Sequence, residues 1–113
     1  MEERRQHHRH SPDQQLELVE QHSGQRLGRL VDLSQDGFML FSEGPLSVDS
    51  VLECRLVLDQ PILDNQVIEF AADCLWSRPG ADSQHCWAGF HIIDIAEDQS
   101  ATLRELLERL DTQ

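Results

Sequence analysis

The stretch Gln25–Phe41, QRLGRLVDLSQDGFMLF, reads as strand, turn, strand. Gln25 to Leu33 mixes apolar with polar residues, Asp36-Gly37 is a turn dipeptide, and Phe38-Met39-Leu40-Phe41 is a short run apolar on both faces. The same alternation extends in both directions. Upstream, Leu16, Leu18 and Glu20 share one face of a first strand, and Gln21 to Gly24 turns the chain. Downstream, Gly44-Pro45 breaks the run. Leu52, Cys54, Leu56 and Leu58 then alternate with Glu53, Arg55 and Val57 in a half-buried strand ending near Pro61. Gln66 to Ser77 is the longest strand-like segment, and Pro79-Gly80 turns it into a last strand, His85 to Ile93. The period then changes. Ala101, Leu103, Leu106, Leu107 and Leu110 follow helical spacing, with Ser100 or Asp98 as N-cap and Glu105 and Glu108 facing water. About six strands and one terminal helix describe an all-β antiparallel barrel whose open end the helix plugs.

Composition bounds what such a barrel does. At 113 residues, 39% hydrophobic and 27% charged, the chain is sized for one globular core. No apolar run approaches the roughly 18 residues of a membrane span, and no apolar stretch near Met1 resembles an export signal. The expectation is a cytoplasmic protein that does not engage membranes. Acidic residues number 21 against nine basic ones, for a formal charge of −12. That balance excludes general binding to duplex nucleic acid, where phosphate neutralisation supplies most of the affinity. All nine bases are arginine, and Arg4, Arg5 and Arg9 lie in the first ten residues beside His7, His8 and His10. Residues 1–13 therefore read as a polar, arginine-rich arm ending in Ser11-Pro12-Asp13, and 14–113 as the barrel domain with its helix.

Three widely spaced cysteines, Cys54, Cys74 and Cys86, form no Cys-x-x-Cys pair and read as small core residues. Metal binding is not expected. The three arm histidines are interleaved with arginines, and His85 and His91 sit six residues apart on one strand face, with Cys86 pointing the other way.

Two short patterns carry the remaining chemistry. Arg5 and Arg9 stand four apart with Arg4 directly in front, and arginine's planar fork matches phosphate oxygens and a guanine edge. A basic tail of this kind also occurs simply as a solvated tail. Asp32-Leu33-Ser34-Gln35-Asp36-Gly37 ends a strand and makes the following turn. Asp32 and Ser34 there can bond the polar edge of a base, and Gly37 can supply positive φ or let a ligand approach the backbone. Equally, Asp and Ser stabilise turns without any ligand.

Together these patterns resemble the PilZ family of receptors for the bacterial second messenger cyclic di-GMP. Arg5 and Arg9 match its Arg-x-x-x-Arg arm, Asp32, Ser34 and Gly37 its Asp-x-Ser-x-x-Gly turn, and Cys74-Leu75-Trp76-Ser77-Arg78 with Trp87-Ala88-Gly89-Phe90 its closing strand pair. The resemblance implies a six-stranded barrel and a nucleotide receptor that is not an enzyme and carries no cofactor, cyclic di-GMP being its ligand. It implies that Arg5 and Arg9 clamp phosphate and guanine, that Asp32 and Ser34 read a guanine edge, and that the arm orders around the ligand. Arg4 in front of the motif implies two stacked ligand molecules, and Trp76 and Arg78 are placed beside the site, although Trp76 also suits a core. A downstream protein partner is implied, with the oligomeric state left open. The alternative is a nucleotide-independent protein-interaction adaptor on the same fold. No nucleophile elbow and no phosphate-binding glycine loop followed by lysine point to catalysis.

Overall fold

The chain's structure is a computed structural model describing residues 16–44, 46–82 and 84–111. Six strands come first: β1 (Glu17–Glu20), β2 (Arg26–Leu33), β3 (Gly37–Ser42), β4 (Val51–Ile62), β5 (Asn65–Pro79) and β6 (Cys86–Ile95). One helix follows, α1 (Glu97–Asp111). All pairings are antiparallel, and the strands close into a barrel in the order β1-β2-β3-β6-β5-β4, with β1 bonded to both β2 and β4. The arm assigned to residues 1–13 lies outside the described residues.

The alternation decides what the barrel encloses. Leu18, Leu33, Phe38, Leu40, Cys54, Leu56, Ile68, Cys74 and Phe90 are among the buried inward positions. Phe38 stacks on Phe90 at 4.8 Å and meets Phe70 edge-on at 5.6 Å, linking β3, β5 and β6 through their rings. All three cysteines are free and buried, and burial pushes the Cys54 thiol up to about 12.

Helix α1 closes one end. Leu103, Leu106 and Leu107 join the barrel core and Leu110 packs against it. Polar contacts fix the helix in register: Asn65 Nδ2 donates to Thr102 Oγ1 at 2.8 Å, and Glu69 N donates to Gln99 Oε1 at 2.7 Å. Among the described residues, no helix is long and apolar enough to cross a membrane.

Several element boundaries differ by a residue or two from the sequence expectation, among them the start of α1 and the ends of β4 and β6. The helix begins at Glu97, and Ser100 N donates to Ala96 O, so Ala96 occupies the cap and both Asp98 and Ser100 lie inside the first turn. The chain passes from β6 into α1 almost without a loop, leaving no room for a polar cap further on. Glu97 and Asp98 favour that end through the helix dipole instead. Strand β4 continues past Pro61 to Ile62 because the register is irregular between Val57 and Ile62, so proline's missing N–H does not interrupt a regular ladder. The reversal falls on Leu63-Asp64, both with positive φ, a two-residue hairpin with no glycine to announce it. Strand β6 runs to Ile95, two residues beyond expectation.

Candidate functional site on the outer face of the barrel

Two bulges set the site. Leu30 and Leu33 are both buried, yet strict alternation from Leu30 would aim Asp32 inward. The β2–β3 register slips by one residue between Leu30 and Asp32, so Leu30 opposes Leu40 and Asp32 opposes Met39. The extra residue turns Asp32 to the outside while keeping both leucines in the core. Strand β5 repeats the device. Cys74 is buried opposite Phe90, and the register slips so that Trp76 opposes Gly89, leaving Leu75 as the extra residue. Trp76 is thus an outer-face residue, half-buried, and not a core tryptophan.

The two slips put Asp32, Met39, Gly89 and Trp76 in one cross-strand row. Three strand spacings separate its ends, roughly 14 Å. Gly89 is there for clearance: a Cβ on it would lie 2.1 Å from Trp76 Nε1, so the indole rests on bare backbone. Arg78 carries its guanidinium over the Trp76 ring, 5.4 Å from the centroid.

A second row flanks the first, formed by Arg29, Phe41, Trp87 and Arg78. Phe41 lies at its centre. Arg29 sits over its ring at 5.3 Å, His85 stacks on it nearly parallel at 4.8 Å, and Trp87 tilts against it at 4.7 Å. Asp82 holds His85 by accepting from its ring nitrogen at 3.0 Å and its backbone N–H at 2.9 Å, and the His85 contact draws the Asp82 carboxyl below its ordinary value. On the other side of the first row, Gly37 pairs with His91.

Ser34 has a different part. It is 1% exposed, its Oγ donates to Asp36 Oδ1 at 2.8 Å with Gly37 O at 3.2 Å, and its N–H donates to Gly37 O. The Asp36 carbonyl in turn accepts from Ile92 N, tying the turn to β6. Ser34 therefore braces the turn that follows Asp32, its hydroxyl proton donated within the turn. Gly37 opens β3 as a buried strand residue, and the described glycines with positive φ are Gly24 and Gly28.

The structure thus brings Asp32, Gly37, Trp76 and Arg78 onto one outer face and sends the Ser34 side chain inward. Arg4, Arg5 and Arg9 lie outside the described residues. The face offers guanidinium planes and half-buried aromatic rings beside a carboxylate, a combination suited to a flat, polar-edged, anionic molecule. Sequence reading missed Arg29, Met39, Phe41 and His85, which become neighbours only through register. Gly89 gave a usable signal, since glycine inside a strand marks a close approach.

A groove of about 200 Å³ lined by Leu16, Leu58, Ile62, Leu106 and Leu110 lies where α1 meets the end of β4. It is a seam between helix and barrel.

Comparison with known proteins agrees with this architecture. No curated protein is a significant sequence match. Among solved structures, the inhibitor of motility MotI/DgrA of Bacillus subtilis is 22% identical with a TM-score of 0.71, over 98% of this chain and 53% of that one. The PilZ domain of YcgR from Escherichia coli, solved with c-di-GMP, is 17% identical with a TM-score of 0.72, over 97% and 93%. MrkH, described as a c-di-GMP-dependent transcription regulatory factor, is 15% identical with a TM-score of 0.73, over 97% and 52%. The chain spans about half the length of MotI and MrkH, and nearly all of the isolated YcgR domain. At these identities the likeness establishes the fold. The PilZ domain family model itself matches residues 3–109, almost end to end, and the chain belongs to that family.

Proposed function

We propose that this chain is a cytoplasmic receptor for cyclic di-GMP that binds the nucleotide on the outer face of β2, β3, β6 and β5. The observation that carries this reading is the row Asp32–Met39–Gly89–Trp76 with Arg78 beside it, in a chain whose amino-terminal residues hold Arg5 and Arg9 at the family spacing. Cyclic di-GMP is a ring of two guanosines and two phosphates, doubly anionic and rich in flat surface. Asp32 accepts from the N–H groups of a guanine edge. Trp76 and the Arg78 guanidinium offer stacking surfaces, and Arg5 and Arg9 clamp phosphate and guanine from the arm. Ser34 holds Asp32 in position through the turn. Ordering the arm around the ligand costs conformational entropy, so the observed affinity is what remains after that cost. Arg4 adds a third guanidinium, which favours two stacked ligands carrying four negative charges.

Calorimetric titration of the full chain with cyclic di-GMP, with GMP and cyclic di-AMP as controls, tests this reading. Selective micromolar or tighter binding is expected, at two ligands per chain. Arg5→Ala and Arg9→Ala are expected to abolish it with thermal stability unchanged, and Arg4→Leu to halve the stoichiometry. A flat titration from a folded protein overturns the receptor reading in favour of a nucleotide-independent adaptor.

A further inference from the structure

Six large apolar side chains are prominently exposed among the described residues, and four of them gather on one outer patch. Val51 on β4 pairs across to Asp73 on β5, which pairs to His91 on β6. Leu75 is the extra residue of the β5 bulge. Ile93 is its counterpart on β6, where Ala71 and Ala72 face Asp94 and Ile92 with Ile93 left between them. Backbone bonds from Asp49 N to Cys74 O and from Cys74 N to Ser50 O, at 2.8 and 2.9 Å, hold the segment after Val48 along β5, next to Leu75. Val48, Val51, Leu75 and Ile93 are 47, 57, 53 and 48% exposed. Single exposed apolar residues are ordinary, whereas four on one face, set around the Asp73–His91 pair, mark an interaction surface.

The fixed charges among them share one sign, with the exposed His91 imidazole beside Asp73. Asp49, Asp73 and Asp94 are interleaved with the four apolar residues, while the neighbouring arginines are engaged elsewhere. Arg55 Nε donates to Glu69 at 2.8 Å, and Arg78 lies over Trp76. Within a chain of charge −12, two such patches face to face would set carboxylate against carboxylate, which disfavours a second copy. The complementary surface is apolar at its centre and basic around it.

We infer that the Val48–Val51–Leu75–Ile93 patch is the docking surface for a partner protein whose contact face is apolar with an arginine or lysine rim. The inference stands independently of nucleotide binding. The test is heteronuclear NMR of the full chain, without nucleotide, titrated with three synthetic peptides: alternating Leu-Arg, alternating Ser-Arg and alternating Leu-Glu. Only the Leu-Arg peptide is expected to shift the amides of Val48, Val51, Leu75 and Ile93 saturably. A Leu75→Ser, Ile93→Ser double variant is expected to keep the dispersed spectrum, since both side chains are exposed, and to bind about tenfold more weakly. Equal binding of the Ser-Arg peptide would reduce the effect to charge and overturn the proposal, as would shifts centred elsewhere or a double variant that binds unchanged. Concentration-dependent self-association lost in the double variant would assign the patch to a second copy. Broadening of the patch amides by a spin label at His7→Cys, with no peptide present, would assign it to the chain's own amino-terminal segment. Either result overturns the proposal.

Discussion

The inner and outer faces of β2, β3, β6 and β5 are built from the same strands but obey different rules. Inward, Phe38, Leu40, Phe90 and Cys74 are close to fully buried and interlock mainly through apolar contact. Outward, Trp76, Phe41 and Trp87 are only half-buried and are covered by guanidinium planes, an imidazole and each other. The inner face uses its rings for stability. The outer face holds rings in fixed positions while leaving part of their surface open to solvent, which is what recognition of a flat ligand requires.

Substitutions can break this contrast, beginning with the inner face. Phe38→Ala removes a ring packed on Phe70 and Phe90 and is expected to cost about 3–5 kcal/mol in chemical denaturation. Gly89→Ala acts on the boundary between the faces. Its methyl collides with the Trp76 indole, so a loss of about 1–3 kcal/mol is expected, together with a red shift in tryptophan emission as the ring is displaced. Ser34→Ala should cost about 1–2 kcal/mol by leaving the turn unbraced, and a neutral result would return the hydroxyl to a ligand-reading role. Asp32→Ala is expected to change stability by less than about 1 kcal/mol while weakening cyclic di-GMP binding in the calorimetric titration. That is the behaviour of an outer-face residue that serves recognition.

The smallest expected effect is on pH. Hydrogen bonds hold the Glu20 and Asp82 carboxyls below their ordinary values, from Ser23 to Glu20 and from His85 to Asp82. Groups with lowered values stabilise the fold above the ordinary carboxylate range, and that contribution disappears as pH falls through the lowered values. Melting temperature should therefore decline slightly below about pH 4, with a shallower decline in Asp82→Asn. His22 has the opposite sign. Its bond to Glu53 raises its value, so its contribution is complete in acid and fades as pH rises through the raised value.

Most of the architecture was legible because burial imposes period two on every strand and period 3.6 on the helix. Cys54, Leu56 and Leu58, for example, fall on the buried side as their spacing requires. What escaped reading were the slips of a single residue. Nothing in the identity of Val31 or Leu75 marks a bulge, since the bulge satisfies both core flanks at once, Leu30 with Leu33 and Cys74 with the Ser77–Ala88 pair. For the same reason the outward position of Trp76 was undecidable from alternation. The Arg29–Phe41–His85 stack depends on register across three separate segments, which no local pattern encodes. The burial of Ser34 was not legible either, because it follows from the tight turn back onto Gly37.

Closure of the ring by β1 has a consequence for how this protein can meet others. With β1 bonded on one side to β2 and on the other to β4, the six-stranded sheet presents no unpaired edge strand among the described residues. An extended peptide therefore finds no free edge strand among the described residues to lengthen the sheet by a seventh. Any contact it makes through the barrel wall is written in side chains, and can be rewritten by substitution one residue at a time without reopening the backbone.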